Sequence, residues 1–259
     1  MAEFADWPEL ADWYDAKMGD LGDLWHRELI DPPLIALIGE VRGKRLLDLG
    51  CGNGYLARRF ARAGATVVGV DTSAPVIALA ERRESAQPLG IRFHAHDAGR
   101  LPMLPDESFD LVYANMSLMD MPDAAGPIRE SARVLRPGGR LVASISHPCF
   151  DTPNASSWLS ERKEYTTTVS RRVGRYREPF DDLVLWRPVD RADFLTRAYH
   201  RPLSWYVREL GGAGLAVTAM EEPAGSAEFR TASPQGDWIR EVPLHLVFSA
   251  RKLTDVLSS

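Results

Sequence analysis

Short, nearly continuous apolar runs alternate with amphipathic stretches through the first half of the chain. The runs at 45–49 and 66–70 predict strands buried on both faces, and those at 91–95, 109–115 and 140–146 predict three more. Between them apolar residues recur at helical spacing. Leu56 and Phe60 form an i, i+4 pair in a helix over 55–63, and further helices are expected over 74–83 and 123–135. Thr72 or Ser73 can cap the second of these helices, and Pro137-Gly138-Gly139 is expected to stop the third. After a long interruption the pattern returns as a helix over 203–210 and strands over 215–220 and 244–250.

This alternation predicts an α/β fold, a Rossmann-like and mostly parallel seven-stranded sheet with helices on both faces. Upstream, Trp7, Leu10, Trp13 and Tyr14 stand at helical spacing, a second helix fits 24–29, and Pro32-Pro33 open a third over 34–41. Residues 1–41 are therefore expected to form an N-terminal helical cap. From 148 to 201 no period is clean, although the segment carries eight aromatics, from Phe150 to Tyr199, and the basic group Arg171, Arg172, Arg175 and Arg177. A structureless loop of that length does not fit a compact domain, so the segment reads as a lid inserted after the fifth strand. The whole chain, 1–259, is expected to be one domain, with its core over 42–147 and the remainder of that core over 202–259.

Composition narrows the partners. The 259 residues, 45% hydrophobic and 26% charged, suit a soluble domain that buries a core unaided, and a net charge of −5 argues against a nucleic-acid partner. Only Cys51 and Cys149 are present, which fits a reducing cytoplasm and no disulfide framework. No apolar run approaches the roughly 18 residues of a membrane span, and Met1–Leu10 lacks the pattern of a signal peptide. The expectation is a cytoplasmic monomer or homodimer, away from membranes, acting on a small molecule. The His and acidic residues show no metal-ligand spacing, so no metal is expected.

The chemistry concentrates where strands end. Asp48-Leu49-Gly50-Cys51-Gly52-Asn53-Gly54 follows the first core strand, and Asp71 ends the next. Glycines there let a ligand approach the backbone, and Asp71 can accept hydrogen bonds from both ribose hydroxyls of a nucleoside. With Tyr55 following Gly54, the spacing is G-x-G-x-G rather than the G-x-G-x-x-G of a dinucleotide fold, which disfavours a nicotinamide dehydrogenase. Asp97 and Ala98 can bond an adenine edge, and Asn115 can hold an amino-acid end. Asp71 can alternatively serve only as a cap for the following helix, and Cys51 reads as a packing residue rather than a nucleophile.

These motifs, with Val70-Asp71-Thr72, His96-Asp97-Ala98, Phe109 to Met121 including Asn115-Met116, and Leu135 to Gly139, resemble the successive motifs of class I S-adenosylmethionine (SAM) dependent methyltransferases. The wider stretch, with Lys17-Met18-Gly19, Trp25-His26-Arg27 and Ser146 to Phe150, is similar to a group of bacterial small-molecule methyltransferases. The resemblance implies SAM as cofactor, S-adenosylhomocysteine (SAH) as product, and contacts to the cofactor from the glycine-turn residues, Thr72 and Met116. It also implies that Tyr14 and His26 close over the methionine end. The implied reaction is methyl transfer to an O, N or C atom of a small metabolite. The alternative within the same fold is a non-methylating or methylation-coupled cyclisation.

Methyl transfer needs positioning more than side-chain chemistry, and no catalytic signature stands out. His147, directly after the fifth strand, is the candidate general base, with a turn-shaping role as its alternative. Tyr165, Tyr176, Trp186, Tyr199 and His200 of the lid are candidate substrate contacts, although lid aromatics can equally form the lid's own core. The arginine cluster is either a solvated face or a clamp for an anionic substrate.

Overall fold

The computed structural model describes residues 3–188 and 191–254; the polar tail beyond lies outside the described residues. The chain begins with a two-residue strand, β1 (Glu3–Phe4), and a helix, α1 (Ala11–Met18). A π-helical turn (His26–Ile30) then runs into α2 (Asp31–Ile38), which carries the two prolines in its first turn. Through the core follow β2 (Arg45–Leu49), α3 (Tyr55–Arg62), β3 (Thr66–Asp71), α4 (Ala74–Ala86), β4 (Arg92–Ala95) and β5 (Phe109–Asn115), then α5 (Ala125–Val134) and β6 (Leu135–Ser146). The expected runs are these strands. Pro137-Gly138-Gly139 does not stop the helix. It lies inside β6, where Gly138 takes φ +78° and the pairing with β5 shifts register between Phe109 and Leu111, so the turn residues absorb a bulge.

The segment after β6 is β structure. An antiparallel hairpin joins β7 (Ser156–Lys163) to β8 (Thr166–Val173), and a second joins β9 (Phe180–Trp186) to β10 (Phe194–His200). β1 pairs parallel with β10, so the N-terminus completes a three-stranded sheet over the core. The core resumes with α6 (Leu203–Gly212), β11 (Leu215–Glu221), α7 (Ala227–Ala232), α8 (Gly236–Glu241) and β12 (His245–Lys252).

The main sheet has the order β11-β12-β6-β5-β2-β3-β4, parallel from β4 to β6, with β12 antiparallel to both neighbours. Period-two alternation divides its core. Leu47, Leu49, Val68 and Val112 pack with Ile128 of α5 and Tyr206 of α6. Leu46, Val67, Leu111 and Tyr113 pack on the other face with Leu34 of α2 and Phe60 of α3. Thus α2, although upstream of the glycine turn, belongs to a core layer. From β2 the chain winds one way to β3 and β4, and from β5 the other way to β6. The carboxyl ends of β2 and β5 therefore flank a switch point, where a crevice opens.

Candidate active site

A cavity of about 1040 Å³ lies over that crevice, roofed by the lid and the N-terminal segment. Gly50, Gly52, Asp71, Thr72, Asp97, Ala98, Asn115 and Met116 line its core side. The turn after β2 is pinned to β3, because the N–H groups of Gly50 and Cys51 both donate to the Val70 carbonyl, at 2.8 and 3.0 Å. Gly52 has φ +54°, and a Cβ there would lie 2.6 Å from the Tyr14 hydroxyl, so only glycine fits between the turn and the N-terminal segment. Asp71 Oδ2 accepts the Gly52 N–H at 3.0 Å and Oδ1 the Ser73 N–H at 2.9 Å. Burial raises the Asp71 pKa against the effect of these two bonds. Ser73, not Thr72, caps α4, leaving Thr72 exposed on the cavity wall. Asp97 bonds the Gly99 N–H through Oδ1 at 2.8 Å.

Asp48, Cys51, Asn53 and Gly54 are not brought to the cavity; they support the turn from beneath. Asp48 is 2% exposed and accepts the Tyr113 hydroxyl at 2.8 Å. Burial, reinforced by the charges of Asp71 and Asp31, pushes its pKa up to about 8. Asn53 Nδ2 donates to Asp15 Oδ1 and to the Gly19 carbonyl, both at 2.9 Å, tying the N-terminal segment to the turn. Burial pushes the Cys51 thiol up, which suits a packing residue rather than a nucleophile. Gly54 takes a left-handed φ of +78° directly before α3.

Asn115, at the end of β5, enters a buried network. Its Nδ2 donates to Asp31 Oδ1 at 2.9 Å, the Tyr55 hydroxyl donates to the same carboxylate at 3.0 Å, and Ser144 donates to Asn115 Oδ1 at 2.6 Å. Tyr14 and His26 both line the cavity. His26 Nδ1 lies 2.7 Å from Asp23 Oδ1, and Lys17 Nζ is 3.0 Å from the other oxygen of Asp23.

The structure does not support His147 as a base. It is 2% exposed and does not line the cavity, although Ser146 and Pro148 on either side do. Its Nδ1 accepts the Cys149 N–H at 3.1 Å, so the proton of the neutral ring sits on Nε2, which donates to Glu222 at 2.8 Å. Both nitrogens are engaged in shaping the turn after β6. Among the lid candidates, Trp186, Tyr199 and His200 line the cavity, whereas Tyr165, 96% exposed on the β7–β8 hairpin, and Tyr176 do not. Trp186 also stacks on Phe194 and meets Trp7 and Trp13 edge-on, so part of the aromatic content is indeed the lid's own core. Arg171 lines the cavity but is tied to Asp151, Ser156 and the Phe150 carbonyl, so it is neither a free clamp nor a solvated residue.

Four residues escaped the sequence reading. Asp120 lines the cavity, and burial alone pushes its pKa up to about 7. An acid inside the apolar run Leu118 to Met121 was the available signal. Arg201 bonds the Met121 and Pro122 carbonyls at 2.6 and 2.8 Å and braces that wall. Asp23 orients His26. His245, at the start of β12, lines the cavity, and its Nδ1 is buried without a hydrogen-bond partner among the described residues. Among the described residues no group of three His, Cys, Asp or Glu is arranged to hold a metal ion.

Residues 47–143 match the family model described as a methyltransferase domain. Over 103 residues the chain is 48% identical to 27-O-demethylrifamycin SV methyltransferase of Amycolatopsis mediterranei, covering 39% of this chain and 38% of that protein. Over 120 residues it is 40% identical to demethylmenaquinone methyltransferase of Thermus thermophilus, covering 46% and 52%. The alignments span about half the length of the curated relatives or less. A solved SAM-dependent methyltransferase from Mesorhizobium loti superposes with a TM-score of 0.67 at 29% identity, covering 85% of this chain and 96% of that one.

Proposed function

From a chain that carries a methyltransferase domain and has the fold of the SAM-dependent methyltransferases, we propose an enzyme that transfers the methyl group of SAM to an O, N or C atom of a small metabolite. The observation that carries this reading is the Asp71 carboxylate. A carboxylate has about four acceptor directions; the Gly52 and Ser73 N–H groups take two, leaving others for ribose hydroxyls at the cavity wall. Asp97, Ala98, Met116 and Tyr14 line the same cavity, which supports reading them as further contacts to the cofactor. The bound cofactor would supply a methyl group activated on sulfonium. This chain's residues bind, align and exclude water, and such positioning contributes up to about 7–11 kcal/mol.

The lid supports a small acceptor. Trp186, Tyr199 and His200 wall its side of the cavity, which suits an acceptor that packs against rings. The acidic net charge supports the same class over nucleic acid, and among the described residues no helix is long and apolar enough to cross a membrane. The free cysteines Cys51 and Cys149 are in keeping with a cytoplasmic enzyme, working as a monomer or homodimer. Calorimetric titration tests the cofactor assignment. SAH should bind stoichiometrically and NAD should not; binding of NAD alone would overturn it.

A further inference from the structure

A continuous line of contacts leads away from the ribose acid. Asp71 holds Gly52, Gly52 faces the Tyr14 hydroxyl, and the charges of both Asp71 and Asp23 act on Tyr14. Asp23 in turn holds His26, whose ring meets Tyr55 edge-on with centroids 6.1 Å apart, and His26 acts electrostatically on His245. Two imidazoles thus share the part of the cavity that also contains Trp25, Asn115 and Met116.

His26 has the layout of an oriented base. Asp23 Oδ1 accepts the backbone N–H of His26 at 3.0 Å and faces its Nδ1 at 2.7 Å, so carboxylate and ring are fixed together. Burial works against ionisation of Asp23, but the bonds from His26 and the charges of His26 and Lys17 outweigh it and hold the carboxyl well below the usual carboxylate range. Its Nδ1 committed to Asp23, the neutral ring has its lone pair on Nε2, which has no partner among the described residues. His245 stands on the same wall, its ring centroid 5.7 Å from that of Trp25. Asp120, another acid of the cavity, has no such orienting partner among the described residues.

We propose that His26, in place of the closing contact to the methionine end that the resemblance implies, is the general base of the reaction, that Asp23 is its positioning residue, and that the acceptor is a hydroxyl compound, an alcohol or phenol. This rests on the methyltransferase reading above. In the step, the acceptor oxygen forms a bond to the methyl carbon. The carbon–sulfur bond breaks with its electron pair going to sulfur, giving SAH, and the hydroxyl proton passes to His26 Nε2. The imidazolium charge is balanced by Asp23. A hydroxyl must lose its proton to attack well, so the product this step gives is methylated on oxygen.

The test combines a spectrum with a rate. Long-range proton–nitrogen NMR of the SAH-bound protein, recorded at about pH 8.5 where imidazoles are neutral, should show His26 as the Nδ1–H tautomer, with His26→Asn providing the assignment. With methyl-labelled SAM and the small-molecule fraction of a source-cell extract, His26→Asn should lower the single-turnover rate by about 100-fold or more, and Asp23→Asn by about tenfold. SAH affinity should change less than about threefold in both variants. Label should be released from the product as methyl iodide by hydriodic acid, as a methyl on oxygen is. An Nε2–H tautomer, an unchanged rate in His26→Asn, affinity falling in step with rate, or label on carbon would each overturn the proposal. A wild-type protein that binds SAH yet labels nothing would instead remove the methyltransferase reading beneath it.

Discussion

The Tyr113 hydroxyl donates to Asp48 Oδ2 at 2.8 Å across the paired strands β2 and β5, and neither side chain reaches solvent. Burial raises the Asp48 pKa from its ordinary 3.8 to about 8, so across that interval the folded protein holds a proton that the unfolded chain has lost. The stability from this protonated acid is complete below the unfolded value and fades as pH rises through about 8. Asp48→Asn stays neutral and keeps an acceptor for Tyr113. Its melting temperature, relative to wild type, should therefore climb between about pH 5 and pH 9. Parallel melting curves over that range would contradict the assignment.

His245 titrates in the opposite sense. Burial first, then the charges of His26 and His147, pushes its pKa down to about 3. The stability of the neutral ring is complete above about 6.5 and is lost as pH falls from there through about 3. Removing the unpartnered Nδ1 with His245→Leu should raise stability near neutrality by about 1 kcal/mol and by more in acid. Denaturant titrations at two pH values measure both, and a variant less stable than wild type in acid would count against a buried neutral ring.

Asp71→Ala should weaken SAH binding by at least about tenfold, or ~1.4 kcal/mol. The substitution removes acceptors for the ribose and frees the Gly52 and Ser73 N–H groups that hold the turn in place. An unchanged calorimetric affinity would mean that the ribose acid lies elsewhere.

His147→Ala should act on folding alone. It leaves the Cys149 N–H without its acceptor and frees Glu222, at a cost of about 1–3 kcal/mol. SAH affinity and the methylation rate of the folded variant should stay within about twofold. A large fall in rate at full cofactor occupancy would return His147 to the reaction.

The sheet was legible because the core runs are mostly apolar and short, and β2 and β3 end at a glycine or an acid; β2 and β5 begin and end where the runs do. The lid strands were not, because β9 mixes Asp181 and Asp182 with apolar residues and buries neither face fully, while the buried face of β10 includes the polar Thr196 and His200, which blurs the period. Asp71, Asp97 and Asn115 could be found because strand ends project into the crevice. Asp48 could not be placed by proximity to the turn. Strand alternation sends it to the same side as Leu46, beneath the turn. The partners of His26 and His245 depend on contacts between segments far apart in sequence, which no local pattern reports.

Methyl-labelled SAM, incubated with the protein and an extract of its source cells and followed by separation of small molecules, protein and RNA, tests the central claim most directly. Label should appear in the small-molecule fraction. Label confined to protein or RNA would contradict a small acceptor, and no label anywhere, with SAH still binding, would contradict methyl transfer and favour a non-methylating use of the cofactor.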